Sequence, residues 1–477
     1  MNNQREDVTF LWYDLETFGL NSRFDRIAQF AAIRTTLDFK PVGEELIYYC
    51  KLSKDYLPSI GACLVTGITP QECEEKGMSE DLFINKINDE FSIPNTIVVG
   101  FNSIKFDDEF IRNSLYRNLE DPYKREYSNG CSRWDILPLV RATHDLRPNN
   151  INWPPKKENN TFSFRLTELT EANNIEQVGA HDALVDVRAT IAIAKLISQA
   201  QPRLFNWSLN LRKKFNVQQQ LSQNDGKIIV VCDTKFTSEH GCTTLALNLT
   251  DVPNSSNVYM FDLTKDVTPL LTASSKTILD VDGLFHVAVN KCPFISPSNV
   301  MNEQAAIRNN IDLERCKQNA ELIKQNPDVI IHILDAVNNI SFDGDDGDVD
   351  FKIYSGFFSY KDKNTFKKIK SAPIEEKFKI LNKTSFEDDR AKTLIYRYIC
   401  RNFEKDLTGI NKDKWIGFCK NRITNPPEPI ENNLESFKNE LKKCSNDSSL
   451  DQKQIDTLKL LENYMNNLFN KLDNKEL

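Results

Sequence analysis

The hydrophobic pattern of the first 200 residues alternates between short apolar runs and longer amphipathic stretches. FLWYDLETFGL begins apolar and TIVVGFN is a β-branched run, and both favour buried strands. FDDEFIRNSLYRNL and HDALVDVRATIAIAKLIS instead carry apolar residues at helical spacing. Alternating strands and helices are typical of an α/β domain. We place its end near QAQPRLFN, where a long helix meets Pro202, and therefore predict an α/β domain over residues 1–201.

The pattern changes twice beyond that boundary. Short β-rich runs, including GKIIVVCD, NVYMFDL and LFHVAVNK, are separated by turn residues and predict a small β-rich domain with appended helices over residues 202–350. SFDGDDGDVDF lacks the alternating acids and closing Glu of a calcium loop, so we interpret it as a solvated acidic linker. Amphipathic stretches such as AKTLIYRYICRNF then predict a C-terminal α-helical domain over residues 351–477.

The first predicted strand carries two acids, Asp14 and Glu16. Residues two apart on a strand project to the same face, so the two carboxylates point together. Like charges side by side on an apolar strand are costly unless a cation offsets them. Oxygen ligands favour Mg²⁺ or Mn²⁺ over softer metals. The alternative is a strand end at the surface, where water solvates both acids.

Two later fragments carry further acids and a histidine. Asp107, Asp108 and Glu109 follow one another near a predicted helix start, where a carboxylate also stabilises the helix N-terminus. Spacing does not choose among the three. His181 and Asp186 do not share a helix face, so the histidine must reach the acids from before the helix or from its first turn. An imidazole placed there suits a general base.

These fragments, Asp-x-Glu-Thr, Asn-x-x-x-Phe-Asp and His-x-x-x-x-Asp in that order, resemble the DEDDh exonuclease superfamily, whose core is ribonuclease-H-like. The resemblance selects Asp107 over its acidic neighbours, and Asp182 stands where the tyrosine type of the superfamily has Tyr. It implies a site that hydrolyses phosphodiesters with two Mg²⁺ ions, for which Mn²⁺ is a substitute. The implied metal ligands are Asp14, Glu16, Asp107 and Asp186, and the implied catalytic residues are His181 and Glu16.

A more specific resemblance covers nearly the whole chain. SRWDILPLVRA, LRPNNINWP, SFRLTEL, QPRLFNW and YSGFF, with the fragments above, are similar to the bacterial exodeoxyribonuclease I family. This implies an SH3-like second domain and a processive 3′→5′ exonuclease that degrades single-stranded DNA to 5′-mononucleotides in DNA repair and recombination. It also implies that the acidic C-terminal tail of the single-stranded-DNA-binding protein is a partner.

Further residues are candidates for binding the strand and the tail. Phe18 and Ile68 fit a hydrophobic core equally well, and Arg133 and Trp134 fit a structural place against a helix equally well. Arg165 could clamp a terminal phosphate with two donors. The strand-binding candidates are Phe18, Thr66, Ile68, Asn102, Arg133, Trp134 and Arg165. The tail-binding candidates are Arg147, Trp207, Arg315 and Lys324, the last two of which fit a solvated helical face equally well.

Composition limits the function classes. The chain has 477 residues, 40% hydrophobic and 27% charged, which is typical of a globular protein of two or three domains. It has no apolar run of membrane-spanning length, and its N-terminus is too polar for a signal peptide, so we expect a cytoplasmic protein without membrane contact. Separately, we expect it to act as a monomer. The net charge of −8 argues against binding DNA with the whole surface, but it permits a local basic groove.

Three alternatives remain open. The catalytic motifs do not report sugar identity, so an RNA-trimming DEDDh exoribonuclease fits them as well. A non-catalytic nucleic-acid-binding module would not need the intact acids and histidine. A protein-interaction scaffold would use only the β-rich and helical parts.

Overall fold

The computed structural model describes residues 8–155, 162–176, 182–236, 239–252, 255–340 and 347–476. Within these residues two five-stranded sheets lie in the first two thirds of the chain, and only helices and loops follow the second sheet. No described helix is both long enough and apolar enough to cross a membrane.

The first sheet has the strand order β3-β2-β1-β4-β5, in which β1 runs parallel to β4 and antiparallel to β2. Its strands are β1 (Thr9–Thr17), β2 (Ile27–Thr36), β3 (Leu46–Tyr49), β4 (Thr96–Gly100) and β5 (Ser132–Asp135). Every residue of β4 is buried, as expected for a central strand covered on both faces. The predicted strands around Asp14 and in TIVVG are therefore confirmed.

Helices cover both faces of this sheet. They are α1 (Ile60–Thr66), α2 (Pro70–Lys76), α3 (Glu80–Ser92), α4 (Asp107–Arg117), α5 (Leu137–Leu146), α6 (Leu166–Ala172) and α7 (Ala183–Ala200). Trp12 belongs to the core that β1 shares with α5 and α7, whereas its neighbour Tyr13 belongs to the core shared with α3 and α4. The alternation of a strand thus splits its apolar residues between two cores.

The second sheet is antiparallel throughout, with the order β10-β6-β7-β8-β9. Its strands are β6 (Ile228–Cys232), β7 (Glu239–Asp251), β8 (Asn257–Asp262), β9 (Leu284–Ala288) and β10 (Phe294–Pro297). The helices around it are α8 (Pro202–Asn210), α9 (Lys214–Gln223), α10 (Thr268–Thr272), α11 (Glu303–Arg308), α12 (Leu313–Lys324) and α13 (Asp328–Asn338). Ala142 and Leu146 of α5 join the core of this sheet, so the two sheets are packed through one helix.

The C-terminal part is helical, as predicted. It contains α14 (Tyr360–Ser371), α15 (Ile374–Lys383), α16 (Asp389–Asn402), α17 (Gly409–Thr424), α18 (Leu434–Ser445) and α19 (Gln452–Asp473). Trp415 and Leu461 from these helices share one apolar core with Phe18, Ile60 and Ile68 of the first domain. This part of the chain is therefore packed directly on the α/β domain. The domain limits at 201 and 350 stay predictions.

The prediction of a solvated acidic linker is wrong for the described residues 347–351. The side chain of Asp350 is fully buried and forms an ion pair with Arg401 (2.5 Å). Asp348 forms ion pairs with Arg422 (2.6 Å) and with Arg397. The arginines lie on α16 and α17, so the sequence around the acids gives no sign of them. Residues 341–346 lie outside the described residues.

Candidate active site

Three of the predicted carboxylates converge between β1 and α7. Asp14 and Glu16 are half-buried on β1, and Asp186 lies in the first turn of α7. One carboxylate oxygen from each lies within 4.8 Å of the others, which is the spacing of a group that could hold a metal ion. The predicted shared face of Asp14 and Glu16 is thus confirmed.

Asp107 joins this group electrostatically. It is the first residue of α4 and is 5% exposed, which confirms its predicted place at a helix start. Its carboxylate is not part of the three-oxygen group among the described residues. Burial raises the pKa of Asp14 well above the usual range, and the charges of Asp107, Glu16 and Asp186 raise it further. The four acids are therefore close enough for their charges to repel one another.

Burial and mutual repulsion raise the pKa values of the other acids as well. Burial, followed by the charges of Asp186 and Asp182, raises the pKa of Glu16 to about 7. Burial is also the largest cause that raises the pKa of Asp107. Among the described residues, no ion pair to Lys or Arg is recorded for Asp14, Glu16 or Asp107. Clustered carboxylates without such partners fit the oxygen donors that a hard divalent cation prefers.

The acid next to Asp107 has the opposite environment. Asp108 is 1% exposed. Its carboxylate pairs with Arg125 at 2.8 Å and Arg133 at 3.0 Å, and it accepts a hydrogen bond from the Tyr13 hydroxyl at 3.0 Å. Although burial opposes it, the attraction of Arg125 and Arg133 holds the pKa of Asp108 well below its usual range. Asp108 is therefore neutralised by its own partners, and it anchors the start of α4 beside the acid cluster.

Asp135, which the sequence reasoning missed, fixes the turn that leads to Asp107. It ends β5, and its Oδ1 accepts the backbone N–H groups of Asn102 (2.9 Å) and Leu137 (3.0 Å). Its Oδ2 accepts the N–H of Ile104 at 3.3 Å. Asn102 has a φ of 61°, a left-handed conformation that needs local support. An acid placed directly before an apolar helix start, as in SRWDILPL, was the signal available in the sequence.

Replacing Asp135 with Asn should reduce activity through the position of Asp107. One side-chain oxygen would become an NH₂ group facing a backbone N–H, and an unsatisfied buried donor costs about 1–3 kcal/mol. We expect a lower kcat and a higher Mg²⁺ concentration for half-maximal activity in D135N. The matched control is D121N, because Asp121 also accepts two backbone N–H groups in a turn, outside the acid cluster. Equal Mg²⁺ requirements in D135N and wild type would contradict this role.

His181 lies outside the described residues, so its assignment as general base stays a prediction. The described helix α7 begins at Ala183, and the carboxylate of Asp182 caps it by accepting the N–H of Leu184 at 3.0 Å. Asp182 therefore serves the helix end, while Asp186 faces the acids of β1.

The structure separates the candidates for strand binding into two sets. Phe18, Ile68 and Trp134 are core residues with 1%, 6% and 1% exposure, so none offers a face on which a base could stack. Arg133 is 5% exposed and engages Asp108 and Glu126, which gives it a structural role.

The other three candidates are accessible. Arg165 has an 81% exposed side chain, with Glu168 at 3.5 Å, so its guanidinium is available to a phosphate. Asn102 is exposed, and Thr66 is half-buried at the end of α1. These three residues stay predictions for strand binding.

The candidates for partner binding occupy the second domain and its border. Arg147 donates to the backbone carbonyls of Leu146 (2.6 Å) and Val300 (3.1 Å), and Trp207 donates its indole N–H to Ile295 at 2.8 Å. Arg315 is exposed on α12, and Lys324 pairs with Glu321 at 2.8 Å. All four stay predictions.

A mixed α/β sheet that gathers four carboxylates from β1, α4 and α7 defines a class, the divalent-metal-dependent phosphodiesterases with an exonuclease domain. Three family models match successive parts of the chain: Exonuclease over residues 11–194, Exonuclease I SH3-like domain over 212–339 and Exonuclease I C-terminal domain over 347–468. The predicted fold class is therefore confirmed.

Individual relatives extend over almost the whole chain. Exodeoxyribonuclease I of Haemophilus influenzae is 38% identical over 446 residues, which cover 90% of this chain and 94% of that protein. Exodeoxyribonuclease I of Escherichia coli is 35% identical over 97% of this chain and 99% of its own. The crystal structure of E. coli Exonuclease I with a dA16 oligonucleotide matches with a TM-score of 0.91 at 34% identity, covering 97% of this chain and all of that one. The chain belongs to the exodeoxyribonuclease I family and is an enzyme that hydrolyses phosphodiester bonds.

Proposed function

We propose that this chain, a 3′→5′ exonuclease of single-stranded DNA, degrades the strand processively to 5′-mononucleotides in DNA repair and recombination. The convergence of Asp14, Glu16 and Asp186 carries the proposal, because it places three oxygen donors around one point in an exonuclease domain. The E. coli relative was crystallised with a dA16 oligonucleotide, which supports a single strand of DNA as the substrate.

The chemistry of the donors fits two Mg²⁺ ions, with Mn²⁺ as a substitute, held by Asp14, Glu16, Asp107 and Asp186. Bound ions would supply positive charge that stabilises the transition state of phosphodiester hydrolysis. The E. coli relative is also known in a zinc-bound form with single-stranded DNA, which supports the binding of a divalent ion. The mutual repulsion that raises the pKa of Glu16 to about 7 would be relieved by such ions.

We assign His181 as the general base that accepts a proton from the attacking water. An imidazole titrates near neutral pH, which suits this task. We assign Arg165 to the phosphate at the 3′ end, since an exposed guanidinium can bind it through two parallel N–H donors. Thr66 and Asn102 would contact the terminal nucleotides.

One assay tests the function and separates its alternatives. End-labelled single-stranded DNA, duplex DNA and RNA are incubated with and without Mg²⁺, and the products are resolved by length. We expect loss of nucleotides from the 3′ end of single-stranded DNA only with Mg²⁺, with mononucleotides as the product. Preferred trimming of RNA would instead identify an exoribonuclease, and binding without cleavage would identify a non-catalytic module.

We also propose that the monomer binds the acidic C-terminal tail of the single-stranded-DNA-binding protein through Arg147 and Trp207, with Arg315 and Lys324 nearby on the same domain. A solved structure described as SSB/Exonuclease I matches this chain at 35% identity, which supports such a partner. The guanidinium of Arg147 has five N–H donors, so its bonds to two carbonyls leave others for a carboxylate.

Replacing Arg147 with Ala should weaken the binding of an acidic tail peptide by at least about 10-fold, since a hydrogen bond to a charged group contributes about 1.5–3 kcal/mol. Titration of a fluorescent peptide by anisotropy measures the change. K276A removes an exposed lysine elsewhere on the second domain and should bind as wild type does. Peptide binding that is indifferent to R147A would reject Arg147 as a tail-binding residue.

A further inference from the structure

The helix that carries Asp107 begins without a polar cap. The residue before α4 is Phe106, whose ring cannot accept the free N–H groups of the first helical turn, a task that Ser, Thr, Asp or Asn usually performs. Asp107 is the first residue of this turn. Its position therefore depends on the contacts that its neighbours make.

One strand supplies contacts on both sides of Asp107 in the sequence. Asp135 of β5 fixes the turn before it by accepting the N–H of Asn102, as described above. Arg133 lies two residues earlier on β5, and residues two apart on a strand project to the same face. Its Nη1 donates to Asp108, the residue after Asp107, at 3.0 Å. The strand β5 thus holds the chain both before and after the acid.

A layer of shielded ion pairs continues from Arg133. Its Nε lies 3.2 Å from Glu126, whose carboxylate also accepts Nε and Nη2 of Arg112 at 2.8 and 2.9 Å. Nη1 of Arg112 then donates to Glu109 at 2.8 Å. The side chains of these four residues are only 6–17% exposed. Salt screens such pairs weakly, and removing one member leaves a partner charge unpaired in the interior.

The two ends of this layer reach the two appended domains. Nη2 of Arg133 donates to the backbone carbonyl of Asn290, between β9 and β10 of the second domain, at 3.0 Å. At the other end, the hydroxyl of Tyr354, which precedes α14 in the C-terminal domain, donates to Glu109. Contacts from both appended domains therefore meet at the first turn of α4. We define the three-domain network as Tyr354, Glu109, Arg112, Glu126, Arg133 and Asp108.

We propose that the three-domain network sets the position of Asp107, and that Arg133, Glu126 and Tyr354 are positioning residues for hydrolysis. The inference rests on the proposed function, which makes Asp107 a metal ligand. The acid cluster has its full affinity for a divalent ion only when both appended domains are docked on the α/β domain. A displacement of about 1 Å at a reacting group can reduce the rate about 10²-fold, so small changes in docking matter.

Two variants interrupt the network, one at each end. R133K keeps the charge, but one ammonium cannot replace a planar guanidinium that binds Asp108, Glu126 and Asn290 together. Y354F removes a single hydroxyl from a side chain that is 52% exposed, so it should fold as the wild type does. Chemical denaturation measures the stability of both variants.

Each variant has a matched control that cuts a domain contact elsewhere. Y398F removes the hydroxyl that donates from α16 to Asp81 on α3 at 3.0 Å. R212K alters a guanidinium that follows α8 and donates to Ser132 of β5 at 3.1 Å. Neither control touches the three-domain network. Both should keep the kcat and the metal affinity of the wild type.

Two measurements separate positioning from a structural or a strand-binding role. Binding of Mn²⁺ without any strand is followed by electron paramagnetic resonance, and cleavage of a short oligonucleotide gives kcat and KM. We expect the dissociation constant for Mn²⁺ to rise about 10- to 100-fold in R133K, the scale on which partners of metal ligands affect metal affinity, and to rise less in Y354F. The kcat should fall in the same order, while KM stays unchanged.

The double variant Y354F/R133K tests whether the network acts as a unit. Contacts in one network are not additive, so the double variant should lose little more than R133K alone. Losses that multiply would show two independent contributions and would contradict the network.

Three further outcomes decide the proposal. Wild-type Mn²⁺ affinity in both R133K and Y354F, or equal losses in the two controls, would overturn it. A raised KM with unchanged kcat would make Arg133 a strand contact instead. If the wild type bound Mn²⁺ but cleaved no strand, the proposed function would fail, and the Mn²⁺ titrations alone would still decide whether the network positions the acids.

Discussion

Replacing Asp186 with Asn should abolish Mg²⁺-dependent hydrolysis while making the metal-free protein more resistant to heat. Asp186 supplies one of three oxygens that lie within 4.8 Å of one another, and its charge raises the pKa of both Asp14 and Glu16. Removing it would delete a proposed metal ligand and one source of repulsion. We expect kcat to fall by more than about 10²-fold, the scale on which loss of one electrostatic stabiliser reduces catalysis.

The comparison for this variant is D182N, four residues earlier, which removes a charge that also raises the pKa of Glu16 but none of the three clustered carboxylate oxygens, and which should therefore keep Mg²⁺-dependent hydrolysis. Asp182 caps α7, and Asn is as good an N-cap as Asp, so the helix keeps its start. Thermal unfolding is measured in EDTA and in Mg²⁺, together with cleavage of labelled single-stranded DNA. D186N should unfold at a higher temperature than wild type in EDTA and should gain less from Mg²⁺. Wild-type cleavage by D186N would remove Asp186 from the site.

The carboxylate core of the site could be predicted from sequence because its geometry is local. A spacing of two on a strand fixes the shared direction of Asp14 and Glu16, and helical periodicity places Asp186 in the first turn of α7. Asp107, by contrast, could not be chosen from local geometry. Three consecutive acids fit a helix start equally well, and only the resemblance to a family distinguished them.

The sequence is least informative for side chains whose partners are distant along the chain. Arg133 was a candidate for strand binding with a structural role as an equal alternative, and it bonds to Asp108, 25 residues earlier. Asp348 was predicted to be solvated, but it accepts from Arg397 and Arg422, which are 49 and 74 residues later. From sequence alone, a charged side chain is equally consistent with ligand binding and with exposure to solvent. Its ion-pair partner is brought near only by tertiary packing, so the sequence does not reveal it.

The pair Asp107 and Asp108 shows how the fold assigns different tasks to identical neighbours. Arginines hold the pKa of Asp108 low and fix it within the core, whereas burial among acids raises the pKa of Asp107. Asp108 itself adds to the repulsion that Asp107 experiences. The protein therefore stabilises the start of α4 with one carboxylate and keeps the other buried among acids, the environment that a proposed metal ligand requires.

The largest loss of stability is expected from replacing Arg401 with Met. Arg401 is 2% exposed and joins two parts of the molecule, because it bonds to Asp55 (2.7 Å) beside the first sheet and to Asp350 (2.5 Å) before α14. Both acids are fully buried, so the variant would leave two charges in the interior with fewer partners. Removing one member of a buried ion pair costs about 3–5 kcal/mol. K392M, an exposed position on the same helix, should change stability by less than about 0.5 kcal/mol.

The pH dependence of this loss distinguishes lost charge pairing from lost packing. Attraction to Arg401 holds the pKa of Asp55 and Asp350 below the usual range although burial opposes it, so their contribution to stability is present above the unfolded-state pKa of about 3.9. It disappears as the pH falls through the lower folded-state values. Chemical denaturation of wild type and R401M should therefore differ fully at pH 7 and progressively less below about pH 4. A difference that stayed constant down to pH 2 would show that Arg401 stabilises the domain contact through packing of its aliphatic stem rather than through its charge.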